Sequence, residues 1–205
     1  MRASLAAAVA VPLLIAASAA PAHASLVLAL DLPTMVTRAD HIAVVDVVSV
    51  KADWDANHEQ ILSTIDLAVV ESWKGGAAPA SHFIVVQPGG TVGDLTQTVH
   101  GMTRFVPGER AVVFLSGQAG HASVVGMAQG KRLVRRDVAT GRFVVHAPDR
   151  AGATFIRSTG ATTPSPVFQL QARPLDELKT DVRTLMAKPA PASGAKPGNP
   201  TGGTR

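Results

Sequence analysis

Three polar side chains of different chemistry, Asp94, His100 and Arg104, fall within one stretch of 21 residues, Pro88 to Gly108 (PGGTVGDLTQTVHGMTRFVPG). A carboxylate, an imidazole and a guanidinium so close in sequence can between them accept and donate hydrogen bonds to a polar ligand. The same stretch carries five glycines and two prolines. A connection this long in a compact domain is either functional or hides a short strand. Leu95 to Val99 reads as that strand. The expectation is a recognition loop at one end of the fold, with Asp94, His100 and Arg104 as its ligand contacts. The competing reading is a β-crossover that holds no ligand.

Other chemistries fail on spacing. His58-Glu59-Gln60-Ile61-Leu62 opens like a zinc-protease H-E-x-x-H, but its fifth residue is Leu, so the second ligand is missing. The seven histidines (23, 41, 58, 82, 100, 121 and 146) offer no pair at a spacing suited to one metal. No metal or other cofactor is expected. Ser116 lacks the flanking glycines and following helix of a nucleophile elbow. Gly89-Gly90-Thr91-Val92-Gly93 lacks the Lys and helix of a phosphate loop. With no cysteine in the chain, disulfides, thiol nucleophiles and Cys-based metal sites are excluded. Asp46 interrupts an apolar run: facing inward it needs a hydrogen-bonding partner, facing outward it is an ordinary surface group. Lys131, Arg132, Arg135 and Arg136 split between two strand faces, Lys131 with Arg135 and Arg132 with Arg136. This pattern reads as charge protecting an edge strand. Together with a net charge of only +4, no tyrosine and 4% aromatics, it argues against nucleic acid as a partner.

The elements that must position these residues are mainly strands. Asp31-Leu32-Pro33 starts a short helix that ends near Ala39. His41 to Lys51 is β-branched and apolar on both faces. Gln60 to Trp73 alternates: Ile61, Ile65, Leu67, Val69 and Trp73 share one face, with Ser63 and Glu71 as exceptions. Further strands are expected at His82–Gln87, at Glu109–Leu115 and from Ser123. A hairpin follows, Lys131–Asp137 with Arg142–Ala147, and a weak strand lies near Thr154–Arg157. Leu175, Leu178, Val182 and Leu185 mark an amphipathic helix over about Pro174–Ala187.

Both ends differ from the middle. Residues 1–24 carry Arg2, an apolar run from Leu5 to Ala20, and Ala22-His23-Ala24. This is the pattern of a signal peptide cleaved after Ala24. The mature chain then starts at Ser25 and has no membrane span, and the protein is exported, to the periplasm or beyond the cell. Residues 188–205 (KPAPASGAKPGNPTGGTR) contain nothing that offsets the entropy of ordering and read as a disordered tail. One domain, 25–187, remains.

A resemblance rests on the order of four pieces. These are Arg38-Ala-Asp-His-Ile-Ala-Val-Val-Asp-Val-Val-Ser-Val50; Leu67-Ala-Val-Val-Glu-Ser-Trp-Lys-Gly75; Phe83-Ile-Val-Val-Gln-Pro-Gly-Gly90; and Phe105-Val-Pro-Gly-Glu-Arg-Ala-Val-Val-Phe-Leu115. They resemble the OB-fold barrel of tissue-inhibitor-of-metalloproteinase-like and netrin-like domains. They are also similar to a group of uncharacterised secreted bacterial proteins with the PGG…F-x-x-G-E pattern and a following Gly126-Met-Ala-Gln-Gly130. The resemblance spans roughly residues 36–130. It implies an OB-like barrel. It does not carry over protease inhibition, which in that family needs a Cys at the mature N-terminus, where this chain has Ser25.

The expected protein is therefore all-β: an OB-like barrel with a β-hairpin extension, a short N-terminal helix and a C-terminal amphipathic helix. The expected function is non-enzymatic binding of a protein or an envelope component. The alternative is an envelope hydrolase whose site the motifs do not reveal.

Overall fold

The computed structural model describes residues 26–148, 154–156 and 172–188. The leader expected at residues 1–24, the cleavage expected after Ala24 and residues 189–205 of the expected tail lie outside the described residues. Among the described residues the fold is mainly β with two helices. Strand β1 (Leu26–Leu28) leads into helix α1 (Leu32–Arg38). Then follow β2 (His41–Trp54), β3 (Ile61–Lys74), β4 (His82–Pro88), β5 (Gly90–Val92), β6 (Leu95–Gln97), β7 (Arg110–Gln118) and β8 (His121–Val124). A 3₁₀ turn (Met127–Gly130) precedes β9 (Lys131–Arg136), β10 (Phe143–Val145), β11 (Thr154–Ile156), β12 (Arg173–Pro174) and helix α2 (Leu175–Ala187).

The main sheet runs β12-β10-β9-β7-β2-β3-β4-β8, and an added β7–β8 pairing closes β7, β2, β3, β4 and β8 into a ring. Every pairing around that ring is antiparallel except β4 with β8, which is parallel. The closed ring explains why β2 is apolar on both faces. Ala43, Val45 and Val47 pack inside it with Ile65, Leu67, Phe83, Val85, Val113 and Leu115. Ile42 and Val44 face outward into a second cluster with Met35, Val36, Phe114, Leu178 and Val182, which helices α1 and α2 cover.

Three register shifts interrupt the β2–β3 ladder. Extra residues of this kind let long strands bend around a closed sheet. One of them corrects the expectation for Trp73. Val44 pairs with Glu71 and Val45 with Val69, so Val70 is the extra residue. A single extra residue reverses the facing of all that follow. Trp73 therefore joins the outer cluster, while Ile65, Leu67 and Val69 stay inside the ring.

The Lys-Gly pair that ends β3 serves the fold. The Lys74 ammonium donates to the carbonyls of Val36 (2.7 Å) and Ala39 (2.6 Å), closing the C-terminal end of α1. Gly75 has φ +87°, and a Cβ there would stand 2.7 Å from the Asp40 carbonyl oxygen. At the other end of α1, the Asp31 carboxylate accepts the Thr34 N–H at 2.8 Å, a side-chain N-cap.

Asp46 faces outward. It stands opposite Arg110 across β2 and β7 and is gripped by two prongs, Nε to Oδ1 and Nη2 to Oδ2, each 2.7 Å. Hydrogen bonding from Arg110 holds the Asp46 carboxyl below its ordinary value. The folded state therefore binds that proton less tightly than the unfolded chain does. The pair's contribution is present above about pH 4 and is lost as pH falls through the lower folded value. Because the Asp46 side chain is 42% exposed, solvent screens the pair, and the contribution is about 0.5–1 kcal/mol. Asp46→Asn is expected to lower the urea midpoint at neutral pH and to converge on the parent protein near pH 2. A deficit that persists undiminished in acid would assign the loss to something other than this pair.

Candidate functional site

The segment from Pro88 to Gly108 is built in two halves. The first is a small hairpin, β5 with β6, in which Thr91 faces Thr96 and their hydroxyls are 2.9 Å apart. It lies close over β2 and β3. Gly90 has φ +144°, and a Cβ there would come within 2.7 Å of both the Ala52 methyl and the Ser63 hydroxyl. Only glycine permits that approach. Two side chains pin the hairpin: the Ser63 hydroxyl donates to the Gly89 carbonyl, and the Ile61 N–H donates to the Gln97 side-chain carbonyl, both at 2.6 Å.

The second half is tied across one end of the ring. The Gln87 amide donates to the Thr103 carbonyl at 2.6 Å, and the Thr103 hydroxyl donates to the Met127 carbonyl at 2.9 Å. The Ala128 N–H reaches the Gly101 carbonyl at 2.9 Å. Phe105 packs into the inner cluster. The strand expected at Leu95–Val99 is present as Leu95–Gln97.

Between the hairpin and the ring lies a cleft of about 720 Å³, whose lining includes Ser63, Gln87, Gln97, His100 and Arg104. Two of the three residues expected to contact a ligand thus meet in one cavity. Asp94 does not line it: it sits in the turn between β5 and β6, exposed at the hairpin tip. Among the described residues no carboxylate lines this cleft, and Asp46 is occupied by Arg110 elsewhere. The cleft offers amides, hydroxyls, an imidazole and a guanidinium. These can orient a polar ligand. No group of three His, Asp or Glu side chains suited to a metal occurs among the described residues. No family model matches the chain, and neither a curated protein nor a solved structure matches it. The geometry of the cleft and of its surroundings therefore carries the functional argument.

Arg104 also borders a second groove, of about 490 Å³, on its other side. The lining includes Val106, Glu109, Lys131, Leu133, Arg135 and His146. The Lys131 ammonium donates to the Arg104 carbonyl at 2.6 Å and to Glu109 Oε2 at 2.5 Å, and it stands 4.9 Å from the centre of the Phe105 ring. Lys131 thus links the segment 103–109 to β9.

The split of the basic run is as expected from alternation. Lys131 and Arg135 line this groove, while Arg132 points to the opposite face and is only 2% exposed. The edge-protection reading is corrected: β9 lies between β7 and β10 and is not an edge. Sequence reasoning did not assign Glu109, Lys131, Arg135 or His146 to a site. The shared face of Lys131 and Arg135 was the available signal. Nothing local announced that Arg104 would meet it.

Proposed function

We propose that the protein is an exported binding module on an OB-like barrel, of the kind its ordered motifs resemble. It holds a polar segment of a protein or an envelope component in the cleft beneath the β5–β6 hairpin. The barrel reading is supported by the five-strand ring order β7-β2-β3-β4-β8 and its single parallel pairing. The export reading is supported by the leader-like residues 1–24. The observation that carries the function is the cleft itself. His100 and Arg104 stand in it among amide and hydroxyl groups, above a floor that is rigidly tied to the ring.

The test is capture from an envelope extract by the immobilised full chain, compared with the H100A/R104A variant. Both substituted side chains are exposed, so the variant is expected to fold with an unchanged far-UV circular dichroism spectrum. A ligand held through the cleft should be recovered at about a tenth of the parental yield or less. Identical recovery on both columns would sink the reading.

A further inference from the structure

We infer that the groove between the segment 103–109 and the β9–β10 hairpin is a binding site for a small organic anion, an oxyanion group carried on a short apolar arm. This site goes beyond the hairpin cleft and shares only Arg104 with it. Its floor is set by strand alternation. Lys131, Leu133 and Arg135 share one face of β9. Val145 pairs with Val134, and the His146 N–H donates to the Leu133 carbonyl at 2.9 Å, so His146 stands opposite Leu133 on that face. Thr103, Arg104 and Val106 form the facing wall.

The charges in this groove do not balance internally. Glu109 is the one carboxylate among the described lining residues. It is already engaged, accepting the Lys131 ammonium and the Val106 N–H (3.1 Å). Among the described residues, neither Arg104 nor Arg135 has a carboxylate within ion-pair distance. Two unspent guanidiniums and an imidazole therefore border one concavity, which concentrates their field on an incoming anion. The planar guanidinium fork matches a carboxylate or phosphate group with two hydrogen bonds. Beside these cations lie Val106, Ala128, Leu133 and Ala147, and Val106 is 40% exposed. That apolar flank calls for carbon on the ligand. Two neighbouring cations turn away from the groove: Arg132 is buried, and Arg136 faces away and donates to the Gly141 carbonyl at 3.0 Å. The volume suits a fragment-sized molecule.

The test is a ¹H–¹⁵N NMR titration of the full chain with n-butyl phosphate, with inorganic phosphate, and separately with phosphatidylglycerol vesicles. Butyl phosphate is expected to shift the Lys131, Leu133, Arg135 and His146 amides saturably, and to bind about tenfold more tightly than inorganic phosphate because its arm leaves water. Arg135→Gln and Arg104→Gln should each weaken it about tenfold. His100→Ala, which touches only the cleft, should leave it unchanged. The capture variant H100A/R104A alters Arg104, which both cavities share, so His100→Ala, which changes only the cleft, and Arg135→Gln, which changes only the groove, let the two readings fail separately. Four results would overturn the inference. These are no saturable shift, equal affinity for the two phosphates, an unaffected Arg135→Gln variant, or binding to vesicles without binding to butyl phosphate, which would reassign the face to a lipid surface.

Discussion

Gln129→Leu is expected to destabilise the fold by about 2–4 kcal/mol, because it strips partners from one buried and two partly buried backbone groups at once. Gln129 is fully buried, and its amide acts like a piece of a neighbouring strand. Its carbonyl accepts the Leu30 N–H at 2.7 Å, and its NH₂ donates to the carbonyls of Leu28 (3.0 Å) and Gly126 (3.1 Å). Leucine fills similar space but makes none of these bonds, so the loss is one of polar satisfaction rather than volume. The chain held in this way runs from β1 into α1, and Leu30, Met35 and Val36 are part of the outer cluster. The substitution should therefore loosen the N-terminal segment first. A urea melt gives the magnitude, and limited proteolysis near Leu28–Asp31 gives the location. A midpoint within error of the parent, or cleavage elsewhere, would refute the assignment of Gln129 as the clamp.

Arg132→Met is expected to act in the opposite direction, stabilising the protein by about 1–4 kcal/mol at neutral pH. Arg132 is 2% exposed on the helix-covered side of β9, and its Nε has no hydrogen-bond partner among the described residues. Burial, with a smaller repulsion from Arg173, lowers its pKa to about 10. The side chain is therefore still charged at neutral pH, where it carries the cost of an ion taken out of water without a counter-ion among the described residues. Methionine keeps much of the length and flexibility of the side chain without the charge. The folded form binds the Arg132 proton less tightly than the unfolded chain does. The stability of the parent should therefore rise relative to Arg132→Met as pH climbs through about 10. Urea melts at neutral pH and at about pH 10.5 test both statements. A less stable methionine variant at neutral pH would show that the guanidinium has a compensating partner.

The motif residues that carried the family resemblance turn out to have mechanical roles. Lys74 closes the end of α1, Gly90 lets the β5–β6 hairpin lie against the ring, Glu109 anchors Lys131, and Gln129 clamps the N-terminal strand. Their order along the chain follows the order of joints in the fold. This is a physical reason to expect the same joints wherever that order recurs.

Much of the architecture could be read from local patterns. The helix at Leu32–Arg38 follows from the Asp31 cap and Pro33. The helix at Leu175–Ala187 follows from the spacing of Leu175, Leu178, Val182 and Leu185. The long strands follow from β-branched runs, and the Lys131–Val145 hairpin from two such runs joined by a Gly-containing loop. The short strands β1, β5 and β12 could not be read, because two or three residues carry no periodicity and, unlike β6 and β10, they do not lie within a longer strand-like run. The facing of Trp73 was misread because an extra residue at Val70 leaves no mark in composition.

The candidate sites divide along the same line. The sequence alone determined that His100 and Arg104 lie in a long polar segment, that Lys131 and Arg135 share a strand face, and that thiol chemistry is absent. Each is a matter of residue identity and near spacing. That Asp94 stands away from the cleft, that Asp46 is occupied by Arg110, and that Arg104 meets Arg135 and His146 across a groove emerge only when the strands assemble. Those outcomes depend on ring closure through the β7–β8 pairing and on the hydrogen bonds that tie residues 99–109 to Gln87, Met127 and Ala128. Contacts between residues so far apart in the chain, 64 positions for Asp46 and Arg110, follow from how strands register and close, and periods of two or 3.6 residues carry no information about them.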